Sequence, residues 1–333
     1  ADENNSVCSE IIWRSITNTM KCYDYCAGSF MWTSVATSTA MGEQLNIADF
    51  NGDGVPEIFD YMHIWNAQTG ALLGTNLLNA STIAVTDFQE IIAADVLPDT
   101  YCNNCSGLEL IYGHHIFSVD ITAGVATFNK EISSELEALG LGSSAKSAVS
   151  DLNGDNLLDI ATTSDDLFFT WDPRTGVLID SVSVQGLIPA TVGTVNRKSA
   201  PPVINDIDND GNMEYLFGTK SLGLGLGIIH LFALDENLNY LWHIEHIQVE
   251  SSVLPVVFDL EGDGIKEIIT RGAFAANNSS GLPYLFVTDA ITGIRKDSIY
   301  AEHGTRLGSE SGVVIADVDN DDMVEIITTG RAV

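Results

Sequence analysis

Short apolar runs recur along the chain, each bounded by Gly, Asn, Asp or Pro, and they follow one repeating order. A first run leads in: LNIADF, EIIAADV, SAVSDL, PPVINDI, LPVVFDL, GVVIADV. A second follows a short acidic segment: EIFDY, LELIYG, LDIATTS, MEYLFGT, KEIITRG, VEIITTG. A third, such as YMHIWN, HIFSVD, LFFTWD, IHLFALD or YLFVTD, runs into a turn: AQTG, ITAG, PRTG, ENLN or AITG. A fourth closes the unit: ALLGTN, VATFNK, VLIDSV, YLWHIE, IRKDSI. Runs this short, rich in β-branched and aromatic residues, read as strands, and the TG-type turns read as hairpins. Only SSELEALGLG (133–142) has helix-like composition, and it is short and ends in glycine.

The acidic segment between the first two runs is a nonapeptide: DFNGDGVPE (49–57), DLNGDNLLD (151–159), DIDNDGNME (206–214), DLEGDGIKE (259–267) and DVDNDDMVE (317–325). A damaged copy starts at Asp95, keeps Asp99, and resumes at Glu109 after a cysteine-bearing insertion. The six starts, Asp49, Asp95, Asp151, Asp206, Asp259 and Asp317, are separated by 46, 56, 55, 53 and 58 residues. Four antiparallel strands at this period predict an all-β fold, a β-propeller of about six four-stranded blades. Residues 1–333 then form a single propeller domain. The last repeat carries only its first two runs, GVVIADV and VEIITTG. Strands within residues 1–44, in SEIIWRSI and SFMWTSVA, are placed to complete that last blade and close the ring, or to pair with a neighbouring subunit. Seven blades result instead if residues 1–40 form a blade of their own.

Each full nonapeptide puts oxygen-bearing side chains at positions 1, 3, 5 and 9. These are Asp49, Asn51, Asp53 and Glu57; Asp151, Asn153, Asp155 and Asp159; Asp206, Asp208, Asp210 and Glu214; Asp259, Glu261, Asp263 and Glu267; and Asp317, Asp319, Asp321 and Glu325. The damaged copy offers Asp95, Asp99 and Glu109, with Leu97 in the third slot. A hard divalent cation takes six to eight oxygen ligands, and alternate residues of a tight loop turn their carboxylates to one side. Converging carboxylates without a cation repel one another. The expectation is five to six structural Ca²⁺ sites. An EF-hand does not fit, for lack of a Glu at position 12 and of flanking helices. Gly54, Gly211 and Gly264 at position 6 ease the turn, and Asn156 and Asp322 stand there elsewhere.

The grammar D-x-[DN]-x-D-G-x-x-[DE] between apolar strands resembles the FG-GAP/VCBS repeat of integrin-α-like calcium-binding propellers, over residues 45–330. The resemblance implies a β-propeller with calcium in the hairpin between the first two strands of a blade. It leaves function open, because the family includes adhesion modules, lectin-like modules and polysaccharide lyases. The chain departs from the integrin pattern in lacking FG and GAP tripeptides before each loop.

Composition narrows the partners. The formal charge of −32, from 46 acidic and 14 basic residues, disfavours nucleic acid and anionic membrane surfaces, which need Lys and Arg. No apolar run reaches the length of a membrane helix, so no membrane insertion is expected. The mean hydropathy of +0.14 argues against disorder. The opening ADENNSVCSE has no basic n-region or apolar h-region, so the sequence reads as one whose leader has been removed or as a segment of a longer protein. Five cysteines favour an oxidising, extracellular setting, with Cys102 and Cys105 stapling the insertion and one further pair among Cys8, Cys22 and Cys26. Sequons at Asn4, Asn79, Asn104, Asn277 and Asn278 are candidate glycan sites.

A reaction is harder to find. His63, His114, His115, His230, His243, His246 and His303 lie mostly in or beside strands, and no G-x-S-x-G elbow accompanies them. SLGLGLGII (221–229) lacks the Lys-Ser/Thr of a phosphate loop. A polyuronate lyase needs basic residues to meet substrate carboxylates, and fourteen is a poor supply. Among the five tryptophans, Trp65 and Trp171 take the same place before their TG turns and read as blade packing. The sequence thus points to a non-catalytic, secreted or cell-surface propeller for adhesion or extracellular assembly. Its expected partners are a protein or glycan at the cell surface, with self-association into fibres as a further option. A carbohydrate-binding module and a lyase are the alternatives.

Overall fold

The first and second strands of each repeat are joined by the acidic loop, and the rest of each sheet follows as a meander. The computed structural model describes residues 9–15, 17–37, 45–76, 91–103, 105–135, 145–164, 166–187, 194–196, 200–223, 226–247, 255–272, 284–300, 313–319, 321 and 323–328. They form seven antiparallel sheets and divide into two compact units, residues 1–143 with 172–177, and residues 144–171 with 178–333. The fold is all-β, built of propeller-type blades.

In the first unit, β1 (Glu10–Arg14), β2 (Met20–Asp24) and β3 (Ser29–Thr33) make a three-stranded sheet. Next come β4 (Asn46–Ala48), β5 (Glu57–Phe59), β6 (His63–Asn66) and β7 (Leu72–Thr75), then β8 (Ile91–Ala94), β9 (Glu109–Tyr112), β10 (His115–Thr122) and β11 (Val125–Ser133). The second unit opens with β12 (Lys146–Ser150), β13 (Asp159–Ser164), β14 (Leu167–Trp171) and β15 (Leu178–Ser183), followed by a short helix, α1 (Val184–Leu187). Its second sheet holds β16 (Thr194–Asn196), β17 (Val203–Asn205), β18 (Glu214–Gly223), β19 (Leu226–Leu234) and β20 (Tyr240–Ile247). The third holds β21 (Val256–Phe258), β22 (Glu267–Gly272), β23 (Tyr284–Asp289) and β24 (Arg295–Tyr300), and the last pairs β25 (Val313–Ala316) with β26 (Glu325–Thr328).

The four-strand repeat holds in four sheets, and a fifth carries it with a split first strand. There β17 pairs with Glu214–Leu216 of β18 while β16 pairs with Lys220–Leu222 farther along the same strand. Pro201 and Pro202, which lack amide donors, stand between the two halves. The N-terminal strands form a sheet of their own, the seven-sheet arrangement. Local closure explains this: β2 turns into β3 over Tyr25–Gly28, with Ala27 N–H donating to Asp24 Oδ1 at 2.8 Å. Pairing across so short a loop costs little chain entropy. Of the helix-like stretch 133–142, Ser133 ends β11, and 136–142 lie outside the described residues.

Burial is graded across each sheet. Second strands are buried on both faces, as in β5, β9 and β13, so they read as continuous apolar or small-polar runs. Outer strands such as β15 are largely exposed. Within each unit the core lies between successive sheets. In the first unit Phe50 and Phe59 stack edge to face at 5.1 Å and meet Leu110 and Phe117 of the next sheet. In the second, Phe168 stacks on Phe217 at 4.8 Å, and Leu216 and Leu231 pack with Trp242 and Ile268. Trp65 and Trp171 are fully buried, as their shared position before the turn predicts.

The TG turns are themselves seated on the preceding sheet. Trp32 Nε1 donates to Ala67 O at 3.0 Å, and Trp242 Nε1 donates to Ala290 O at 3.1 Å. Each indole covers the glycine that ends the turn: a Cβ on Gly70 would lie 2.3 Å from Trp32, and one on Gly293 would lie 2.8 Å from Trp242. Both glycines have positive φ, 68° in each case, so the residue type is required twice over.

Candidate metal loops

All six acidic loops occupy one place in their sheets. Position 1 follows directly on the first strand, and position 9 is the first residue of the second strand, Glu57, Glu109, Asp159, Glu214, Glu267 or Glu325. The residue before the loop faces position 9 across the ladder in every copy: Ala48↔Glu57, Ala94↔Glu109, Ser150↔Asp159, Asn205↔Glu214, Phe258↔Glu267 and Ala316↔Glu325.

The loop backbone is built by its own side chains. In the first copy Asp53 N–H donates to Asp49 Oδ1 and to Asn51 Oδ1, both at 3.1 Å, and Gly54 N–H donates to Asp49 Oδ2 at 2.9 Å. Val55 N–H donates to Asp53 Oδ1 at 2.8 Å. The same bonds recur around Asp151, Asn153 and Asp155, around Asp206, Asp208 and Asp210, and in part around Asp259 and Asp263 and around Asp317 and Asp321. Positions 4 and 6 both take positive φ: Gly52 and Gly54, Gly154 and Asn156, Asn209 and Gly211, Gly262 and Gly264. The substitution of Asn156 for glycine is thus accommodated as expected, while Asp322 lies outside the described residues. Desolvation works against Asp151, but amide donors from Asn156, Gly154, Asp155 and Asn153 hold its pKa below the ordinary carboxylate value. Gly264 N–H does the same for Asp259.

Position 9 closes the loop from beneath where it is Glu57, Glu214, Glu267 or Glu325. Its carboxylate accepts the amide of position 2: Phe50 on Glu57 at 3.0 Å, Ile207 on Glu214 at 2.8 Å, Leu260 on Glu267 at 2.9 Å and Val318 on Glu325 at 2.8 Å. Glu57, Asp159, Glu214 and Glu267 are all buried. Carboxylates are not buried without a partner for their charge.

The damaged second copy preserves this clasp. Val96 and Leu97 N–H both donate to Glu109 Oε2, at 2.9 and 3.1 Å, although Glu109 stands thirteen residues beyond Val96. Leu97 itself is turned into the core, Asp95 and Asp99 are exposed, and a Cys102–Cys105 disulfide staples the insertion. Glu109 is fully buried, and its Oε1 has no hydrogen-bond partner among the described residues. Burial, reinforced by Asp95, pushes its pKa up to about 7. Glu214 is raised to about 7 in the same way, by burial and then by Asp208, Asp210 and Asp206.

Carboxylate donors converge most closely in two loops. The ligand oxygens of Asp206, Asp208 and Asp210 lie within 4.8 Å of one another, as do those of Asp317, Asp319 and Glu325. The first and third loops offer an amide oxygen at position 3, from Asn51 and Asn153. An orphaned buried carboxylate oxygen, raised pKa values and an all-oxygen donor set fit a hard divalent cation. The fifth loop differs: Lys296 Nζ lies 2.7 Å from Glu267 Oε1 and 3.2 Å from Glu261 Oε2. Nothing in the local sequence around 259–267 announces that lysine. Neighbouring loops are also tied together, since Asn209 Nδ2 donates to Gly264 O at 2.7 Å and Lys266 Nζ donates to Asp206 O.

Other sequence candidates settle into structural places. The His114 and His115 rings lie 4.0 Å apart, tilted by 45° and both buried, with His115 Nδ1 2.7 Å from Ser133 Oγ. His63 is buried against Asp60 at 3.0 Å. None of the five tryptophans is among the exposed side chains. Cys26 is disulfide-bonded and Cys22 is a buried thiol, whereas Cys8 and all five sequons lie outside the described residues. Among the described residues no helix is long and apolar enough to cross a membrane.

No protein-family model and no curated protein matches this chain. Solved structures do. The V. cholerae biofilm matrix protein Bap1 is similar over 98% of this chain and 72% of its own, with a TM-score of 0.61 at 13% identity. The Pseudomonas aeruginosa PilY1 C-terminal domain is similar over 97% and 91%, with a TM-score of 0.57 at 9% identity. The WD40 domain of Toxoplasma gondii coronin is similar over 97% and 75%, with a TM-score of 0.53 at 12% identity. At such identities the likeness is one of fold, and the fold is the β-propeller.

Proposed function

We propose that this chain is a non-catalytic, extracellular β-propeller that holds calcium in its acidic loops and serves adhesion or extracellular assembly. The observation that carries the calcium reading is the position-9 carboxylate, placed in one register in all six copies and buried in five of them, Glu57, Glu109, Asp159, Glu214 and Glu267. Residues at positions 1, 3, 5 and 9 would hold the ion, and its charge would offset the carboxylates gathered there. The motif grammar supports FG-GAP/VCBS-type repeats, with six loops as candidate sites.

The cystine Cys102–Cys105 supports an oxidising compartment, and Bap1, similar in fold, is a biofilm matrix protein. A surface role also suits a strongly acidic chain, which disfavours nucleic acid and anionic membranes. The partner we propose is a protein or glycan at a cell surface, with self-association into fibres as a further mode. The test is retention of purified protein on a cell or matrix surface with calcium and with EGTA. Calcium-dependent retention supports the reading; equal absence of retention in both conditions overturns it. Electron microscopy of the same material separates fibres from discrete particles.

A further inference from the structure

The β19–β20 ladder gathers a different kind of donor from those in the loops. His230 faces Glu245 across it, and Phe232 faces His243, so the three polar side chains share one face. His230 Nδ1 lies 3.8 Å from Glu245 Oε1, and His243 Nε2 lies 3.7 Å from the same oxygen. All three donor atoms fall within 4.8 Å of one another. His230 is fully buried, with its ring 6.0 Å from both Phe232 and His243. Glu245 is 43% exposed, so the cluster opens toward solvent.

A supporting residue is already present. The Tyr240 hydroxyl lies 2.7 Å from His243 Nδ1. In the tautomer whose Nδ1–H donates to that hydroxyl, the lone pair sits on Nε2, the nitrogen facing Glu245. An outer hydrogen bond of this sort orients and primes metal-bound histidines. Burial lowers the His230 pKa to about 4, which keeps its ring neutral.

We propose that His230 Nδ1, His243 Nε2 and a Glu245 oxygen form a second class of metal site, for one zinc-type divalent cation. Two imidazoles and one carboxylate suit such ions, whereas calcium prefers oxygen alone. Tetrahedral coordination with bonds of about 2.0–2.1 Å spaces donors roughly 3.3 Å apart. Closing the site draws each histidine about half an ångström toward the Glu245 oxygen, from 3.8 and 3.7 Å, and brings together two ring nitrogens that lie within 4.8 Å. The fourth position lies on the solvent side, where water or a partner's side chain completes the shell.

Isothermal titration with Zn²⁺ tests the site in protein whose loops are saturated with millimolar Ca²⁺. The expected result is one zinc equivalent that His243→Gln and Glu245→Gln each lose or weaken at least tenfold, while Asp208→Asn retains it. Tyr240→Phe should weaken binding about tenfold without abolishing it. Melting curves in calcium show whether the variants fold. Should one fail to fold, Co²⁺ bound to the unmodified protein supplies an independent reading through its visible ligand-field bands. Absence of zinc binding under calcium, binding unchanged in folded Glu245→Gln, or absence of the cobalt bands overturns the site.

Discussion

Lys296 Nζ sits 2.7 Å from Glu267 Oε1, on the carboxylate that closes the fifth acidic loop. The same ammonium reaches Glu261 Oε2 at 3.2 Å, so positions 3 and 9 of that loop share a positive partner supplied by β24. Glu267 and then Glu261 hold the ammonium above the ordinary lysine range. This loop therefore carries its own counter-charge. Replacement by Lys296→Met should lower the melting temperature in EGTA and restore it with millimolar calcium. It should also raise calcium affinity at this one loop, read by titration calorimetry. An unchanged melt in EGTA would show that the contact carries no stability.

Calcium removal should be felt by the whole fold. A site held at about 100 times its Kd adds roughly 2.7 kcal/mol, and several loops act together. Differential scanning calorimetry of native protein should show a large fall in Tm on adding EGTA, reversed by calcium and not by magnesium at equal concentration. A Tm indifferent to EGTA would sink the calcium reading.

The raised carboxyl groups give that experiment a pH axis. Glu109 and Glu214 hold their protons up to about 7 in the folded state, against an ordinary value of 4.5. The folded state thus binds more protons than the unfolded one between those limits, and stability must fall as pH rises through them. In EGTA, Tm should decline from about pH 4.5 to 7, and calcium should remove this component of the decline. Glu109→Gln should flatten it in part and raise Tm in EGTA at neutral pH.

The indole locks make a prediction independent of metal. Trp242→Phe removes the donor to Ala290 O and should cost about 1 kcal/mol in urea denaturation. Gly293→Ala meets both a positive φ and the Trp242 ring, and should cost more, about 2 kcal/mol. Gly124 ends a comparable turn but has open space beside it, so Gly124→Ala should show the strain of its positive φ without the clash.

Much of this molecule is legible from neighbours in sequence, because blades are meanders and the candidate ligands of each full loop lie within nine residues. The damaged copy shows how far that reaches. Asp95 and Glu109 could be placed as first and last positions despite the insertion, since both flank apolar runs that resume in phase. What escaped came from distance. Lys296 meets Glu267 from 29 residues away, and no residue of the loop itself announces it. Trp32 and Trp242 reach turns 35 and 48 residues on, so the turn motif displayed one partner and hid the other. The alternation of His243 with Glu245 was visible, but its match to His230 required the register of two strands.

The position-9 carboxylate has one further consequence, for how these hairpins find their alignment. It starts a strand and, in the loops led by Phe50, Val96, Ile207, Leu260 and Val318, grips an amide at the start of its own loop. A ladder slipped by one residue would pull that amide away and leave a charged group stranded, besides turning each side chain to the opposite face. Mispairing is thereby penalised at the first rung, before the strands have zipped. The hairpins index themselves from one end, so their interiors can change composition without losing count.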